Sequence, residues 1–276
     1  MTGGSPTPSA TADRPNLSGR QPLTLLYHAV APLPPGAGYL ARALFVDPRR
    51  FAEQMAELAG RGYRTVRLAE YGRMLDCEHA SSSRRFLLTF DDGYAHLDQF
   101  VTPVLRRHGF SAVVFVPLAN LGGANDWDHD PLLLGARIMG ARELRSLDPD
   151  HWEVESHGAQ HVDLRRQASE VRVRELCEAR DRLSQLLGRR VTALAYPYGH
   201  HDAGVRRDAA GAGYELAFTA SGYGTRERLR LPRRAVSGWD PLALFRLRTG
   251  RLGPALYRAE DAARTVAGLR RLASRP

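Results

Sequence analysis

The sequence predicts an α/β fold built on a parallel sheet. Strand-like and helix-like segments alternate along most of the 276 residues, which is the order expected for a parallel sheet flanked by helices and not for a β-sandwich or a helical bundle. Polar side chains able to do chemistry repeatedly follow strand-like segments, as in barrel proteins whose functional residues lie at the carboxyl ends of the strands. A chain of this length buries a substantial core, so one large domain is the simplest organisation.

Local patterns predict the individual elements. The first strand lies within residues 25–30, a mainly apolar stretch. The first clear helix begins at Pro48, since proline is favoured at the first helical position, and Phe51, Met55 and Leu58 then share one face. The remaining predicted elements are strands at residues 63–68, 86–90, 112–116, 152–155, 191–195, 216–219 and 234–236, and a long helix at 169–187.

One apolar run ends on two adjacent acids, Asp91 and Asp92, followed by Gly93. The run is typical of a buried strand, and glycine allows the backbone to turn as it leaves the core. Two neighbouring carboxylates rarely stay ionised together without a cation between them, so one could hold a metal while the other works as a base. The alternative is a solvated turn, the usual setting of an Asp-Asp-Gly sequence.

A second motif contains His157 and His161. In a helical turn this spacing places both imidazoles on one face, where their nitrogens can converge on a metal. Two neutral histidines and one carboxylate leave part of the coordination shell open, as a catalytic site requires and a structural zinc site does not. The alternative is a coincidental pair on a helix surface. Because both motifs accompany strand-like segments, we interpret them together as a metal-hydrolase site.

These motifs resemble those of the polysaccharide deacetylases, the NodB-homology or carbohydrate esterase family 4 enzymes. The resemblance covers residues 23–245. Residues 89–93 match the family's first motif and residues 157–161 its second, although Gly158 stands where the family has Ser or Thr. Residues 196–199, Tyr-Pro-Tyr-Gly, are similar to the third motif. The fold that this resemblance implies is a distorted, incomplete (β/α) barrel of the NodB-homology type.

The resemblance also implies a role for each matching residue. Asp91 would be the catalytic base, and Asp92, His157 and His161 would hold a divalent metal. The backbone amide of Tyr198 would stabilise the oxyanion. Histidine and aspartate ligands favour zinc, with cobalt and nickel as alternatives.

Two departures from the family pattern change the expected site. The third motif usually has an arginine two residues before its proline, which orients the base, but Ala195 occupies that position. We hypothesise that Arg233 takes over this role, because a guanidinium group can hold a carboxylate through two hydrogen bonds. The alternative is a surface arginine beside a strand.

The second departure concerns the general acid, which in most of the family is a histidine well downstream of the third motif. No histidine follows His201 in this chain. A circularly permuted branch, resembling enzymes that act on exopolysaccharide of the poly-N-acetylglucosamine type, has this histidine in its first strand, and His28 is in the matching position. An imidazole can protonate a departing amine near neutral pH. The alternative is a hydrogen-bonded core histidine.

Three further residues are assigned to substrate binding. Trp127 lies in an insertion, residues 121–128, that we expect to overhang the site. Its indole either stacks on the apolar face of a sugar ring or anchors the loop to the core. Tyr94, which follows the first motif, and Pro197, in the third, complete this set.

The ends of the chain differ from its centre. Residues 1–20 are rich in Gly, Ser, Thr and Pro and are expected to be disordered, residues 21–250 form the catalytic domain, and residues 251–276 form a basic helix or tail. No stretch has the apolar core of a signal peptide or the length of a membrane span, so we expect a cytoplasmic protein.

Positive charge is concentrated toward the carboxyl terminus. The net charge is +9 and all 39 basic residues are arginine; from Arg226 onward arginines outnumber acids by 13 to four, a surplus equal to the net charge. We interpret this region as solvated, with weak contact to an anionic membrane or a phosphate group as the alternative. No nucleic-acid partner is expected, because no recognition motif accompanies the charge.

The function expected from the motifs and the resemblance is metal-assisted hydrolysis of an N-acetyl group on an amino sugar, giving acetate and a free amine. The substrate would be an N-acetylglucosamine-type glycoside, small or a biosynthetic precursor if the protein is cytoplasmic. The alternatives are a catalytically weak sugar-binding protein with the same fold and an O-acetyl esterase, since the sequence does not separate amide from ester substrates.

Overall fold

The computed structural model describes residues 22–259 except 34–35, 77–83, 129, 131–132, 134, 221–224, 251 and 254. Its strands are β1 (Leu23–Tyr27), β2 (Ala29–Val30), β3 (Phe45–Val46), β4 (Arg64–Thr65), β5 (Arg85–Phe90), β6 (Ala112–Val116), β7 (Trp152–Ser156), β8 (Ala193–Ala195), β9 (Leu216–Thr219), β10 (Leu231–Pro232) and β11 (Arg234–Ala235). Its helices are α1 (Tyr39–Leu44), α2 (Pro48–Gly60), α3 (Leu68–Leu75), α4 (His96–Phe100), α5 (Thr102–His108), α6 (Ala141–Ser146), α7 (Ser169–Leu187), α8 (Ala203–Gly211) and α9 (Leu242–Thr249).

Nine of the described strands form one sheet that curls into a nearly closed barrel. Along the sheet the order is β10-β9-β8-β7-β6-β5-β1-β11, and β4 pairs with the start of β5. The pairs among these strands are parallel. This architecture confirms the distorted, incomplete (β/α) barrel predicted from the sequence.

The two edges of the barrel meet in one short segment, residues 231–235. Its first half, β10, pairs with β9, and its second half, β11, pairs with β1. Arg233 lies between the two halves. This residue therefore occupies the seam at which the barrel closes.

Helix α2 begins where the sequence predicts it. The Asp47 carboxylate caps the first turn by accepting a hydrogen bond from the N–H of Arg49 at 2.9 Å. The three apolar side chains predicted to share one face, Phe51, Met55 and Leu58, are buried. The long helix α7 also has the predicted bounds.

Side chains from alternate positions of the strands fill the barrel interior. In β5, Leu87 packs in an interior cluster with Phe115 and Phe218, whereas Leu88 packs in the larger cluster that contains side chains of α2 and α7. This alternation is the two-residue period of a strand. Continued to the carboxyl end of β5, it brings Asp91 to the interior side.

Several strands differ from the prediction. The first strand is interrupted at His28, because β1 and β2 belong to different sheets. The strand predicted at 63–68 is reduced to β4, because Leu68 already begins α3 and its N–H donates to the Glu153 carboxylate at 3.0 Å. Strand β10 was not predicted, since Pro232 is a residue that the interiors of strands disfavour.

Some predictions concern residues that the structure does not describe. The predicted tail, residues 1–20, lies outside the described ranges, as does most of the predicted basic tail, 251–276. The bounds of the catalytic domain at 21–250 therefore stay a prediction. Within the described ranges, every helix is too short or too polar to span a membrane.

Candidate active site

Chemically reactive side chains from three strands meet at one end of the barrel. Asp91 and Asp92 follow β5, His157 follows β7, and His28 follows β1. The sheet order explains their proximity, because β5 lies between β1 and β6, and β6 pairs with β7. Since the strands are parallel, their carboxyl ends share one rim of the barrel.

Asp92, His157 and His161 form a buried cluster of potential metal ligands. One ligand atom from each lies within 4.8 Å of the others. Asp92 Oδ1 is 3.5 Å from His157 Nε2 and 3.6 Å from His161 Nε2. Two ligands that are each about 2.1 Å from a tetrahedral zinc ion lie roughly 3.4 Å apart. The observed separations therefore fit three groups around one common ion.

Hydrogen bonding and packing orient the two histidines. His157 Nδ1 donates to the Ala195 carbonyl at 2.8 Å, so its Nε2 is the nitrogen available on the side of Asp92. His161 Nδ1 is buried and has no hydrogen-bond partner among the described residues. The His161 ring lies 4.2 Å from the Trp127 ring and 4.7 Å from the Tyr198 ring, measured between centroids. These aromatic neighbours hold the imidazole in place.

Burial and neighbouring charges determine the protonation of the cluster. Burial alone would raise the pKa of Asp92, but the hydrogen bond with His157 and the charges of His28 and His161 hold that pKa far below its usual range. Burial lowers the pKa of His157, yet the carboxylates of Asp91 and Asp92 outweigh it, so the net pKa is raised. Burial and repulsion from His157 lower the pKa of His161 to about 3. Of the two imidazoles, His157 therefore binds a proton more readily in the metal-free protein.

Asp91 is held by Arg233 through two hydrogen bonds, each 2.7 Å long. Arg233 is 2% exposed, so the alternative of a surface arginine is wrong. Its guanidinium carbon lies 5.5 and 5.9 Å from the ring centroids of Phe115 and Phe218, and its Nε donates to the Thr219 carbonyl at 3.1 Å. These contacts fix the fork geometry that bidentate recognition of a carboxylate needs.

The small side chain of Ala195 is compatible with this arrangement. Ala195 belongs to the same interior cluster as Phe115 and Phe218, the two rings beside the Arg233 guanidinium. An arginine at position 195 would compete with Arg233 for this space. The chain therefore supplies the arginine from the closing segment and keeps the third-motif position small.

The loop of residues 157–161 is not the helical turn that the spacing predicts. Gly158 has φ +83° and His161 has φ +48°, which are left-handed conformations incompatible with a regular helix. A carboxylate oxygen of Glu175, in α7, accepts hydrogen bonds from the N–H groups of Ala159 and Gln160 at 2.8 and 2.6 Å. Glu175 thus holds the loop from outside.

Replacing Glu175 with Ala is expected to weaken zinc binding about 10- to 100-fold, as removal of groups that support metal ligands typically does. Glu178→Ala is the matched control, because Glu178 is one turn further along α7 and pairs with Arg182 at 2.7 Å on the surface. Zinc dissociation constants are measured by competition with a chromogenic chelator. Equal constants for Glu175→Ala and wild type would show that Glu175 does not support the ligand loop.

Three residues of the site have backbone conformations that are uncommon outside glycine. The angle φ is 68° at Asp92, 48° at His161 and 59° at Tyr198, and these are the non-glycine residues with positive φ in the described ranges. Such conformations cost of order 1–3 kcal/mol each and concentrate at functional sites. Next to Asp92, Gly93 is also left-handed, and a Cβ there would lie 2.5 Å from Val116 Cγ1, so the turn requires glycine.

The residues assigned to substrate binding lie at different depths. Trp127 is half-buried and stacks on His161, so its loop does overlie the site. Tyr94 and Pro197 are buried, and the Tyr94 hydroxyl accepts a hydrogen bond from Asn125 Nδ2 at 2.8 Å. Direct contact of any of the three with substrate stays a prediction.

Two residues that were not predicted as part of the site, Asn125 and Asp128, shape this loop. Asn125 is buried, its Oδ1 accepts from the N–H groups of Trp127 and Asp128 at 3.2 and 3.1 Å, and its Nδ2 donates to Asp128 Oδ2 at 2.7 Å. Burial, and then the negative charge of Asp92, raise the pKa of Asp128 against the opposing effect of Asn125. The signal available in the sequence was the Asn-Asp-Trp-Asp order, which is typical of a turn built on an asparagine side chain.

A model of the polysaccharide deacetylase family matches residues 79–217, about half of the chain. The chain belongs to the polysaccharide deacetylase family. The match includes the acids after β5 and both histidines after β7. His28 and Arg233 lie outside the matched residues, so these two parts of the site come from regions that the family model does not align.

One curated relative is YxkH of Bacillus subtilis (strain 168), which is named a polysaccharide deacetylase. It is 23% identical over 195 residues, or 71% of this chain. The chain spans 63% of the length of that relative.

Solved structures of deacetylases share the fold. Streptococcus pyogenes deacetylase PplD, in complex with acetate, has a TM-score of 0.69 and 22% identity, covering 81% of this chain and 95% of that chain. IcaB from Ammonifex degensii has a TM-score of 0.69 and 20% identity, covering 82% and 95%. A de-N-acetylase from Aggregatibacter actinomycetemcomitans has a TM-score of 0.67 and 15% identity, covering 81% and 98%.

Proposed function

We propose that this protein is a metal-dependent hydrolase that removes the N-acetyl group from an amino sugar of the N-acetylglucosamine type. The observation that carries the proposal is the arginine-held carboxylate of Asp91 directly beside the ligand cluster of Asp92, His157 and His161. Membership of the polysaccharide deacetylase family supports deacetylation, and one structural neighbour is itself a de-N-acetylase.

Each group has a defined task in this proposal. Burial opposes ionisation of Asp91, but the Arg233 charge outweighs it and lowers the pKa, so Asp91 is ionised at neutral pH and accepts the proton of the attacking water. When bound, a divalent cation at Asp92, His157 and His161 supplies Lewis acidity toward the acetyl carbonyl and makes water more acidic. Because a carboxylate with a lowered pKa is a weak base, the reaction depends on that added acidity.

Two further groups stabilise the transition state and release the product. The backbone N–H of Tyr198, in a left-handed turn next to His161, donates to the oxyanion. His28 protonates the leaving amine. The products are acetate and a free amino sugar.

Replacing His28 with Ala is expected to lower kcat at least about 100-fold, the low end for general acid catalysis, and to leave bound zinc at the wild-type level. His28 lies at the end of β1, close enough to Asp91 and Asp92 for its charge to lower the pKa of both carboxyls. The control is His108→Ala, in α5 and outside the site. A wild-type rate for His28→Ala would remove His28 from the mechanism.

Zinc binding is expected to weaken as the pH falls, with a slope close to one proton. The pKa of His157 is raised, whereas that of His161 is about 3 and that of Asp92 is far below its usual range, so near neutral pH the metal displaces a proton from His157 alone. Below the pKa of His157, log Kd should rise by about one for each unit that the pH falls, and above that pKa log Kd should not change with pH. Chelator competition from about pH 5 to about pH 8 measures this. A slope of two would contradict it.

The first test of function is acetate release by metal-stripped protein, with and without added zinc or cobalt. N-acetylglucosamine glycosides and matched O-acetylated sugars are compared, so that amide and ester hydrolysis are separated. Metal-dependent release from the amides supports the proposal. Release from the esters alone favours an esterase, and tight sugar binding with no release favours a sugar-binding protein.

Two earlier expectations stay proposals. The first is a small or precursor substrate, which was inferred from the amino-terminal sequence; the exposed Trp239 ring, after β11, argues instead for a longer one. For the basic region, Arg228 and Arg246 pair with Asp76 and Glu57 at 2.7 and 2.9 Å, which leaves less charge for a weak contact with an anionic membrane or phosphate. Cosedimentation with anionic vesicles at low and high salt tests that contact.

A further inference from the structure

The exposed aromatic side chains lie on the face of the barrel that holds the site. Tyr39 is 80% exposed, Trp239 49% and Tyr198 45%, and these are the aromatic members of the exposed large apolar side chains in the described ranges. Tyr198 follows β8 and Trp239 follows β11, which are strands of the barrel, and Tyr39 follows β2, which begins two residues beyond the carboxyl end of β1. Aromatic rings grouped on one exposed face are typical of a binding surface.

Tyr39 and Trp239 form a pair. Their ring centroids are 6.0 Å apart and their planes are tilted by 37°, so the rings are adjacent without being stacked. The Arg42 guanidinium carbon lies 5.9 Å from the Trp239 ring centroid, and Arg42 Nε donates to the Ala37 carbonyl at 2.8 Å. Tyr39, Arg42 and Trp239 are called the aromatic platform below.

The turn that presents Trp239 is firmly held. The buried Asp240 carboxylate accepts a hydrogen bond from Arg248 at 2.6 Å. Arg50 Nη1 donates to the carbonyls of Gly238 and Asp240 at 3.2 Å each. Gly238 packs so closely that a Cβ there would clash with the backbone carbonyls of Phe45, in β3, and Arg42, in α1. An exposed ring on a fixed turn loses little conformational entropy when a ligand binds.

The platform lies next to the proposed general acid. Strand β11 pairs with β1, and the Val236 N–H donates to the Leu26 carbonyl at 2.9 Å. Val236 is thus level with the end of the strand that His28 follows. Trp239 is three residues further on, at most roughly 10 Å of extended chain.

A second connection joins the platform to the loop above the ligand cluster. The Ala41 N–H, in α1, donates to Asp130 Oδ2 at 3.2 Å. Asp130 is three residues after Trp127 in the sequence, and the Trp127 ring stacks on His161. This hydrogen bond and the pairing of β11 with β1 both place the platform at the end of the barrel that holds the site.

We propose that Tyr39, Arg42 and Trp239 form a distal sugar subsite, which binds another unit of the glycan that is deacetylated at Asp91. The apolar face of a pyranose stacks on the Trp239 ring beside Tyr39, and the fixed guanidinium donates to hydroxyl or acetamide oxygens. Two rings are far too small a surface for a stable protein partner, which buries about 1,200–2,000 Å² in total. This inference rests on the proposed function and identifies the substrate as an oligosaccharide or polymer.

The test is the dependence of kcat/KM on substrate length. Acetate release is measured with zinc-loaded wild type, Tyr39→Ala and Trp239→Ala on N-acetylglucosamine oligomers of one to five units, β-1,4-linked and, separately, β-1,6-linked. The ratio of pentamer to monomer kcat/KM is expected to exceed one in wild type and to fall roughly 2- to 12-fold in Trp239→Ala. Val173→Ala, an exposed apolar residue of α7, is the control that should keep the wild-type ratio.

A binding measurement separates failure of the subsite from failure of the proposed function. Calorimetry measures pentamer affinity for Asp91→Asn with and without Trp239→Ala, and the expected loss is the same roughly 2- to 12-fold. Equal length ratios and equal affinities overturn the subsite while deacetylation stands. No acetate from any oligomer overturns the function, and the calorimetry then still decides whether the platform binds sugar.

Discussion

Replacing Asp91 with Asn is expected to lower kcat for acetate release by about 100- to 10,000-fold, the contribution typical of a positioned general base. The amide has nearly the shape of the carboxylate but does not accept the proton of water. Metal content is expected to stay at the wild-type level, because the potential ligands are Asp92, His157 and His161. Turnover and zinc content are measured on the same preparation.

The control for this change is Asp181→Asn. Asp181 is a surface residue of α7 that pairs with Arg180 at 2.6 Å, so the same chemical change there should leave kcat and metal content unaltered. A kcat for Asp91→Asn close to that of wild type would reject Asp91 as the base. Loss of zinc in Asp91→Asn would instead place Asp91 among the ligands.

Replacing Arg233 with Met is expected to lower kcat and to reduce the free energy of unfolding by about 3–5 kcal/mol, because the Asp91 carboxylate is left buried without its partner. Burial raises the pKa of Asp91, but the charge of Arg233 lowers it by a larger amount, so the net pKa is below the ordinary value. The pair therefore stabilises the fold fully above the pKa of an unfolded Asp, about 3.9, and loses this contribution as the pH falls through the lower pKa of the folded state. Urea unfolding at pH 7 and at acidic pH measures the difference.

Two companion variants separate orientation from stability. Arg233→Lys keeps the charge but loses the two-bond geometry, so it should retain more stability than Arg233→Met and still turn over slowly. The double variant Asp91→Asn, Arg233→Met removes both charges and should recover part of the stability without recovering activity. Wild-type turnover in Arg233→Lys would exclude the orienting role.

The pairing of Arg233 with Asp91 could be predicted from the sequence, because chemistry requires a partner for the carboxylate. Because Ala195 stands where the third motif usually has arginine, Asp91, the expected base, needs a guanidinium group from another part of the chain to orient it. The strand that delivers it was only half recognised, because β10 is two residues long and contains Pro232. Short strands that close a barrel derive their stability from pairing on both sides, which local sequence does not record.

The ligand loop shows the opposite case. The spacing of His157 and His161 is compatible with a helix, and that conformation was predicted. The actual loop depends on the left-handed Gly158 and on Glu175, whose carboxylate arrives from α7. Convergence of the two imidazoles could be predicted from the motif, but the backbone that produces it is a tertiary contact.

The seam at Arg233 also has a consequence for synthesis of the chain. Asp91 and Arg233 are 142 positions apart, so synthesis reaches the acid long before its counter-charge. Until residues 231–235 dock between β9 and β1, a carboxyl enclosed at position 91 is driven toward its neutral form. We therefore expect closure of the barrel and ionisation of Asp91 to occur together, so that a chain without residues 231–235 lacks the ionised carboxylate on which the proposed reaction depends.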